Sequence, residues 1–119
     1  MLNLNSLMVG SSNAKAMGSF YKQVFQKEPE MEDGDWYGWQ VGSSFFGVGP
    51  HSEVNGKSSD PSRIMLNFET NEVQQEFDRI KDIEGVKVIK EPYDMQGMMI
   101  ATFEDPDGNY FQLMSPWKE

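Results

Sequence analysis

The stretch Ala101-Thr-Phe-Glu-Asp-Pro-Asp-Gly-Asn-Tyr-Phe-Gln-Leu-Met114 constrains the fold more than any other part of the chain, because its residue types spell out a hairpin. Pro106 fixes φ at the second position of a turn, Gly108 takes the backbone where φ is positive, and the Asp105 and Asp107 carboxylates can bond nearby amides. Met99, Ala101 and Phe103 alternate before the turn, and Tyr110, Gln112 and Met114 after it, with the two-residue period of half-buried strands. A turn that pairs Glu104 with Asn109 sets Phe103 opposite Tyr110, Ala101 opposite Gln112 and Met99 opposite Met114. All six then share one sheet face.

The rest of the chain supplies elements around this hairpin. Leu2 to Val9 reads as a strand. Ser11, Ser12 and Asn13 offer helix-capping side chains, Met17, Phe20, Tyr21, Val24 and Phe25 recur at helical spacing, and Pro29 closes the helix. An acidic segment from Glu30 to Asp35 leads to a hairpin of Trp36 to Val41 and Ser44 to Val48 around Gly42-Ser43. From Gly49 to Pro61 Gly, Ser, Pro, Asn and Asp mark a connecting loop. The same order then returns: a strand over Ile64 to Phe68, Thr70 and Asn71 as caps, a helix carrying Val73, Phe77, Ile80 and Ile83 that Gly85 ends, and strands over Val86 to Ile89, Met98 to Phe103 and Tyr110 to Met114. An offset of 57 residues superposes Phe20 on Phe77 and Asn13 on Thr70. Two copies of one βαβββ unit are expected, residues 1–49 and 63–119 joined by a loop over 50–62, within a single domain.

Size and charge bound the partners. A chain of 119 residues suits one compact domain. There are no cysteines, which excludes disulfides and thiolate metal sites. Ten basic against nineteen acidic side chains give a formal charge of −9, which repels phosphates and argues against nucleic-acid binding. The start, Met1 to Met8, lacks a basic region and a continuous apolar run, so neither export nor a membrane span is expected, and a cytoplasmic location is.

The Asp105-Pro-Asp-Gly-Asn109 turn and its two strands resemble the last hairpin of the glyoxalase, bleomycin-resistance and extradiol-dioxygenase superfamily, the vicinal oxygen chelate proteins. Ser19-Phe-Tyr21 is similar to the Phe-Tyr pair that follows the first strand in many members. The resemblance implies an α+β fold in which two βαβββ modules form a curved, cleft-enclosing mixed sheet. It also implies metal positions on the first and last strands of each module, held in metal-dependent relatives by His or Gln and by Glu. Counted from the caps and turns, those positions fall on Ser6, Phe46, Arg63 and Gln112. None is a usual ligand set for a divalent ion, and the chain has a single His. A guanidinium opposes a cation besides. No metal and no cofactor are therefore expected. His51 beside Glu53 reads as a solvated surface pair before it reads as a metal site. The acidic run Glu28, Glu30, Glu32, Asp33 and Asp35 reads first as a solvated edge, and second as a rim that attracts cations.

What the resemblance leaves is an apolar cleft with a few placed polar groups. Tyr37, Trp39, Phe46, Met99 and Phe103 are its expected apolar lining, and Ser6, Arg63, Asn67, Tyr110 and Gln112 its polar groups, although each apolar member taken alone reads as ordinary core. Met95, Met98 and Met99 beside Gly97 fall where a mobile loop would flank the cavity. The leading expectation is a metal-independent small-molecule binding protein similar to bleomycin-resistance proteins, enclosing an aromatic or cationic ligand. Two alternatives stand beside it: a glyoxalase-like lyase or isomerase, or another superfamily enzyme, and a regulatory or interaction domain with a vestigial pocket. A two-fold homodimer is expected, since two modules enclose a cleft only in part.

Overall fold

The computed structural model describes residues 1–116. The chain separates into two compact units, Met1–Gly56 and Lys57–Glu119. In the first, β1 (Ser6–Ser11), α1 (Ala14–Phe25), β2 (Met31–Asp33), β3 (Trp36–Val41) and β4 (Ser44–Pro50) follow one another. The sheet order is β1-β4-β3-β2, with β1 parallel to β4 and the other pairs antiparallel. The second unit repeats this: β5 (Leu66–Glu69), α2 (Val73–Ile80), β6 (Lys87–Met95), β7 (Met98–Glu104) and β8 (Tyr110–Met114), in the order β5-β8-β7-β6. The expected α+β architecture is therefore present as two four-stranded mixed sheets, each with one helix.

α1 starts where the capping residues stand. Asn13 Oδ1 accepts the N–H of Ala16 at 3.4 Å, and Ser11 Oγ accepts that of Asn13 at 2.9 Å. The helix stops at Gln26, whose φ of 56° is left-handed, before Pro29 is reached. Its apolar stripe, Met17, Phe20, Tyr21 and Val24, is buried. Tyr21 meets Phe46 at 4.8 Å and Phe25 meets Trp39 at 5.4 Å between ring centroids, so these aromatics join the helix to one face of the sheet. Trp39 satisfies its indole by donating from Nε1 to the carbonyl of Lys27 at 3.0 Å.

In the second unit Phe77 of α2 stacks on Phe103 at 5.2 Å, and Phe103 on Phe111 at 5.3 Å. Glu72 is the N-cap, and Thr70 contributes by accepting the N–H of Glu72 at 3.1 Å. α2 ends at Ile80, so Ile83 lies in the turn beyond it. β6 runs past Ile89 to Met95, and Met95 pairs with Met98 across Gln96 and Gly97, with φ of 53° and 90°. Both positive values fit a type I′ turn. The segment expected as a mobile loop is thus a tight hairpin.

The Asp105 turn corrects the expected register. Asp105 donates its N–H to the carbonyl of Asn109 at 2.8 Å and accepts that of Gly108 at 2.9 Å on its own carbonyl, while Gly108 has φ 83°. This is a three-residue loop, Pro106 to Gly108, built on a type I turn with a left-handed glycine. Glu104 therefore pairs with Tyr110, Phe103 with Phe111, Thr102 with Gln112, Ala101 with Leu113 and Ile100 with Met114. The expected pairs of Phe103 with Tyr110, Ala101 with Gln112 and Met99 with Met114 each slip by one residue, which moves β7 to the opposite face. The buried Asp105 carboxylate holds the loop: Oδ1 accepts the N–H groups of Asp107 at 2.9 Å and Asn109 at 3.0 Å. Asp105→Ala leaves those donors without this acceptor and is expected to lower stability by about 1–3 kcal/mol in urea unfolding.

On the edge of the first sheet, Glu30 bridges helix end and strand. Its carboxylate accepts the N–H of Gln40 at 2.6 Å and pairs with Lys27 at 2.7 Å. The Lys27 hydrogen bond, then the Gln40 N–H, holds the Glu30 carboxyl below its ordinary value of 4.5. With the folded pKa depressed, the unfolded chain binds the proton first, so this contribution is complete above the ordinary value and is lost as pH falls through the folded one. Acid unfolding of Glu30→Gln, followed by circular dichroism, is expected to show a shallower loss of stability in that window than the parent.

Candidate functional site

Each sheet gives one face to its helix and leaves the other without one. In the second unit, strand alternation puts Asn67, Gln112, Thr102 and Lys90 in one row across the helix-free face, each opposite the next in register. Gln112 Nε2 donates to Thr102 Oγ1 at 2.9 Å. Thr102 is 6 % exposed, Gln112 half-buried and Asn67 exposed. On the neighbouring row Tyr110 stands opposite Glu104. Gln112, Thr102 and Asn67 are uncharged at any ordinary pH, and each offers both donor and acceptor atoms.

The helix-free face of the first unit is floored by glycine. Gly38 and Gly47 are register partners, and Gly49 follows Gly47 on the same face of β4. A Cβ on Gly49 would lie 2.1 Å from the Trp36 ring, and one on Gly38 2.4 Å from the Phe45 ring, so these rings rest directly over bare backbone. At Gly47 the nearest atoms stand 3.8–3.9 Å away, among them the Met8 side chain. Met8 is 70 % exposed, and Trp36 and Phe45 are half-buried. Two exposed acids, Glu32 and Asp33, flank this face on β2.

The structure divides the expected site residues into three sets. Trp39, Phe46 and Phe103 are at most 2 % exposed and pack against the helices, and Tyr37 lies beside Gly18 of α1, where a Cβ would meet its ring at 2.7 Å. The expected facing of Trp39 with Phe46 is present, but on the helix side, because the α1 aromatics claim those rings. Met99 borders a hollow of about 360 Å³ with Asn71, Val73 and Ser115 at the start of α2. Arg63 stands in the loop before β5 and pairs with Asp60 at 2.8 Å. Ser6, Asn67, Tyr110 and Gln112 remain on helix-free faces, and Asn67, Gln112 and Tyr110 are neighbours there. Sequence reasoning missed Thr102, Trp36, Phe45 and the glycine floor. The alternation of Gly38 with Trp36, and of Gly47 and Gly49 with Phe45, was the available signal.

The positions implied for a metal move as well. Leu7 faces Phe46 as Leu66 faces Phe111, so the counterpart of Gln112 in the first unit is Gly47, and that of Asn67 is Met8. Counting from the turns failed because Val41 and Ser44 close a two-residue turn, one residue shorter than the Asp105 loop. Ser6, Phe46 and Arg63 thus give way to Met8, Gly47 and Asn67. A thioether, a bare glycine and two amides do not match the imidazole and carboxylate donors of a divalent site. Among the described residues no three His, Cys, Asp or Glu gather to hold a metal ion. No helix among them is long and apolar enough to cross a membrane.

The family model for the Glyoxalase/Bleomycin resistance protein/Dioxygenase superfamily matches residues 3–113. No curated protein matches the chain. Among solved structures, a conserved domain protein is similar with a TM-score of 0.81 at 20 % identity, covering 98 % of this chain and all of that one. A glyoxalase/bleomycin resistance protein/dioxygenase family enzyme from Burkholderia phytofirmans gives 0.75 at 23 % identity, over 96 % of this chain and 98 % of that one. Lactoylglutathione lyase from Agrobacterium tumefaciens gives 0.74 at 16 % identity, over 95 % and 92 %. At these identities the likeness to the solved structures is one of fold.

A methyl group at Gly49 has nowhere to go unless the Trp36 ring moves. Gly49→Ala is expected to displace that ring into water, read as a red-shifted tryptophan emission and a changed near-ultraviolet circular dichroism with the far-ultraviolet spectrum preserved.

Proposed function

The chain belongs to the glyoxalase/bleomycin resistance protein/dioxygenase superfamily, and within it we propose a protein that binds a small molecule on the helix-free faces of its sheets without a bound metal. The observation that carries this reading is the row of Asn67, Gln112 and Thr102, in which Gln112 already donates to Thr102 at 2.9 Å. A carboxylate there would attract a cation and deliver it to a substrate oxygen. An amide held by a threonine instead recognises a guest by direct hydrogen bonds. The Trp36 and Phe45 rings, with Glu32 and Asp33 at the margin, favour a planar or cationic guest through stacking and cation–π attraction.

The enzymatic alternative has less support. Arg63, the cation that would stabilise an oxyanion, is engaged by Asp60 outside the strands. Gln112, Thr102 and Asn67 do not exchange protons near neutral pH, so they bind without transferring.

A thermal-shift screen of planar and cationic compounds, followed by calorimetry, tests the reading. A hit is expected to bind with unchanged affinity in the presence of a chelator, and Gln112→Ala is expected to weaken it about tenfold, or about 1.4 kcal/mol. A stoichiometric transition metal on which that binding depends would overturn it.

A further inference from the structure

Protein edges that stay solitary are defended, and three of the four sheet edges here carry such defences. β2 is three residues long and ends in Glu32 and Asp33. β6 carries Lys87, Lys90, Glu91 and Asp94, holds Pro92, and breaks register between Val88 and Lys90 and again before Tyr93. β5 is four residues long and ends in Glu69. β1 differs on every count. It is six residues long, pairs with β4 alone in a regular parallel ladder, and contains no charge, proline or bulge.

Its surroundings sharpen the contrast. Charged side chains make up 24 % of the chain, yet the first of them is Lys15. The uncharged run carries large apolar groups in water: Leu2 is 102 % exposed, Leu4 74 %, Leu7 36 % and Met8 70 %. Leu7 and Met8 lie on opposite faces of β1, so both sides of the strand are apolar. Half of its backbone N–H and C=O groups point away from β4, toward the free edge.

From these observations we infer that the free edge of β1 is an interface with a second copy of this chain. Electrostatics selects the occupant. Two chains of formal charge −9 repel each other wherever their acids meet, and the strip from Leu2 to Ala14 is where they approach without that cost. A basic partner would be drawn to the acidic faces, not to this strip. A second β1 brings the same uncharged edge and the same exposed Leu and Met, and two antiparallel copies about a two-fold axis satisfy each other's backbone groups. The inference is independent of the ligand-binding reading, since it uses the edge of β1 and not the sheet face.

The test is sedimentation of the full chain from nanomolar to high micromolar concentration, with hydrogen exchange at both ends of the range. Twice the 13.6 kDa chain mass is expected at the upper end. The amides of β1 are expected to exchange more slowly in that dimer than after dilution, while those of β6 exchange alike. Leu4→Lys with Met8→Lys, both on exposed positions, is expected to raise the dissociation midpoint at least about tenfold with unchanged circular dichroism. A chain that stays monomeric throughout overturns the inference. So does a dimer whose β1 amides ignore dilution, or one that persists in the folded double variant.

Discussion

A single buried carboxylate governs the second unit. Asp105, 2 % exposed, receives the backbone N–H groups of Asp107 and Asn109 and an amide N–H of the Asn109 side chain. Such charge-assisted bonds repay the removal of the carboxylate from water and hold the chain in a loop of three residues. Since strand side chains alternate strictly, the loop decides which residues of β7 and β8 go beneath α2. Phe103 and Phe111 go there, complete the stack on Phe77, and leave Thr102 and Gln112 to meet on the other side.

The first unit reaches the same layering with other means. Its turn has two residues with Gly42 at φ 57°, and its helix-side layer is Tyr21, Phe25, Trp39 and Phe46. The two helix sides are alike, aromatic and dry, and this likeness is what makes the two units one supersecondary pattern. The other sides diverge. One carries amides and a hydroxyl along a row, the other glycine backbone under two rings. One surface recognises by hydrogen bonds and the other by flat contact, so the pair suits a guest with both features.

The order of elements was legible because each left a local trace: Asn13 as a cap, Met17 to Phe25 at helical spacing, and the turn glycines Gly42, Gly97 and Gly108. β2 and the far half of β6 were not, because Glu, Asp, Lys and Pro are poor strand formers and pairing with β3 and β7 overrides that preference. Pairing of Trp39 with Phe46 was legible, but the face was not, since only the packing of α1 decides it. Asn67, Tyr110 and Gln112 were found on a shared face because period two within a strand and the parallel register suffice for that. Thr102 was missed because one loop residue was counted wrongly, and the glycines because glycine in a strand reads as an interruption.

The Asp105 loop also sets how this chain tolerates change. Exchanging one residue for another within Pro106 to Gly108 disturbs a turn. Removing one shifts the pairing of every residue in β8 against β7, and drives Gln112 toward the helix while Phe111 and Leu113 turn to water. Point substitution and length variation are therefore unequal here: the loop can be respelled at a local cost, whereas losing a single position inverts a strand and exchanges the binding surface with the core.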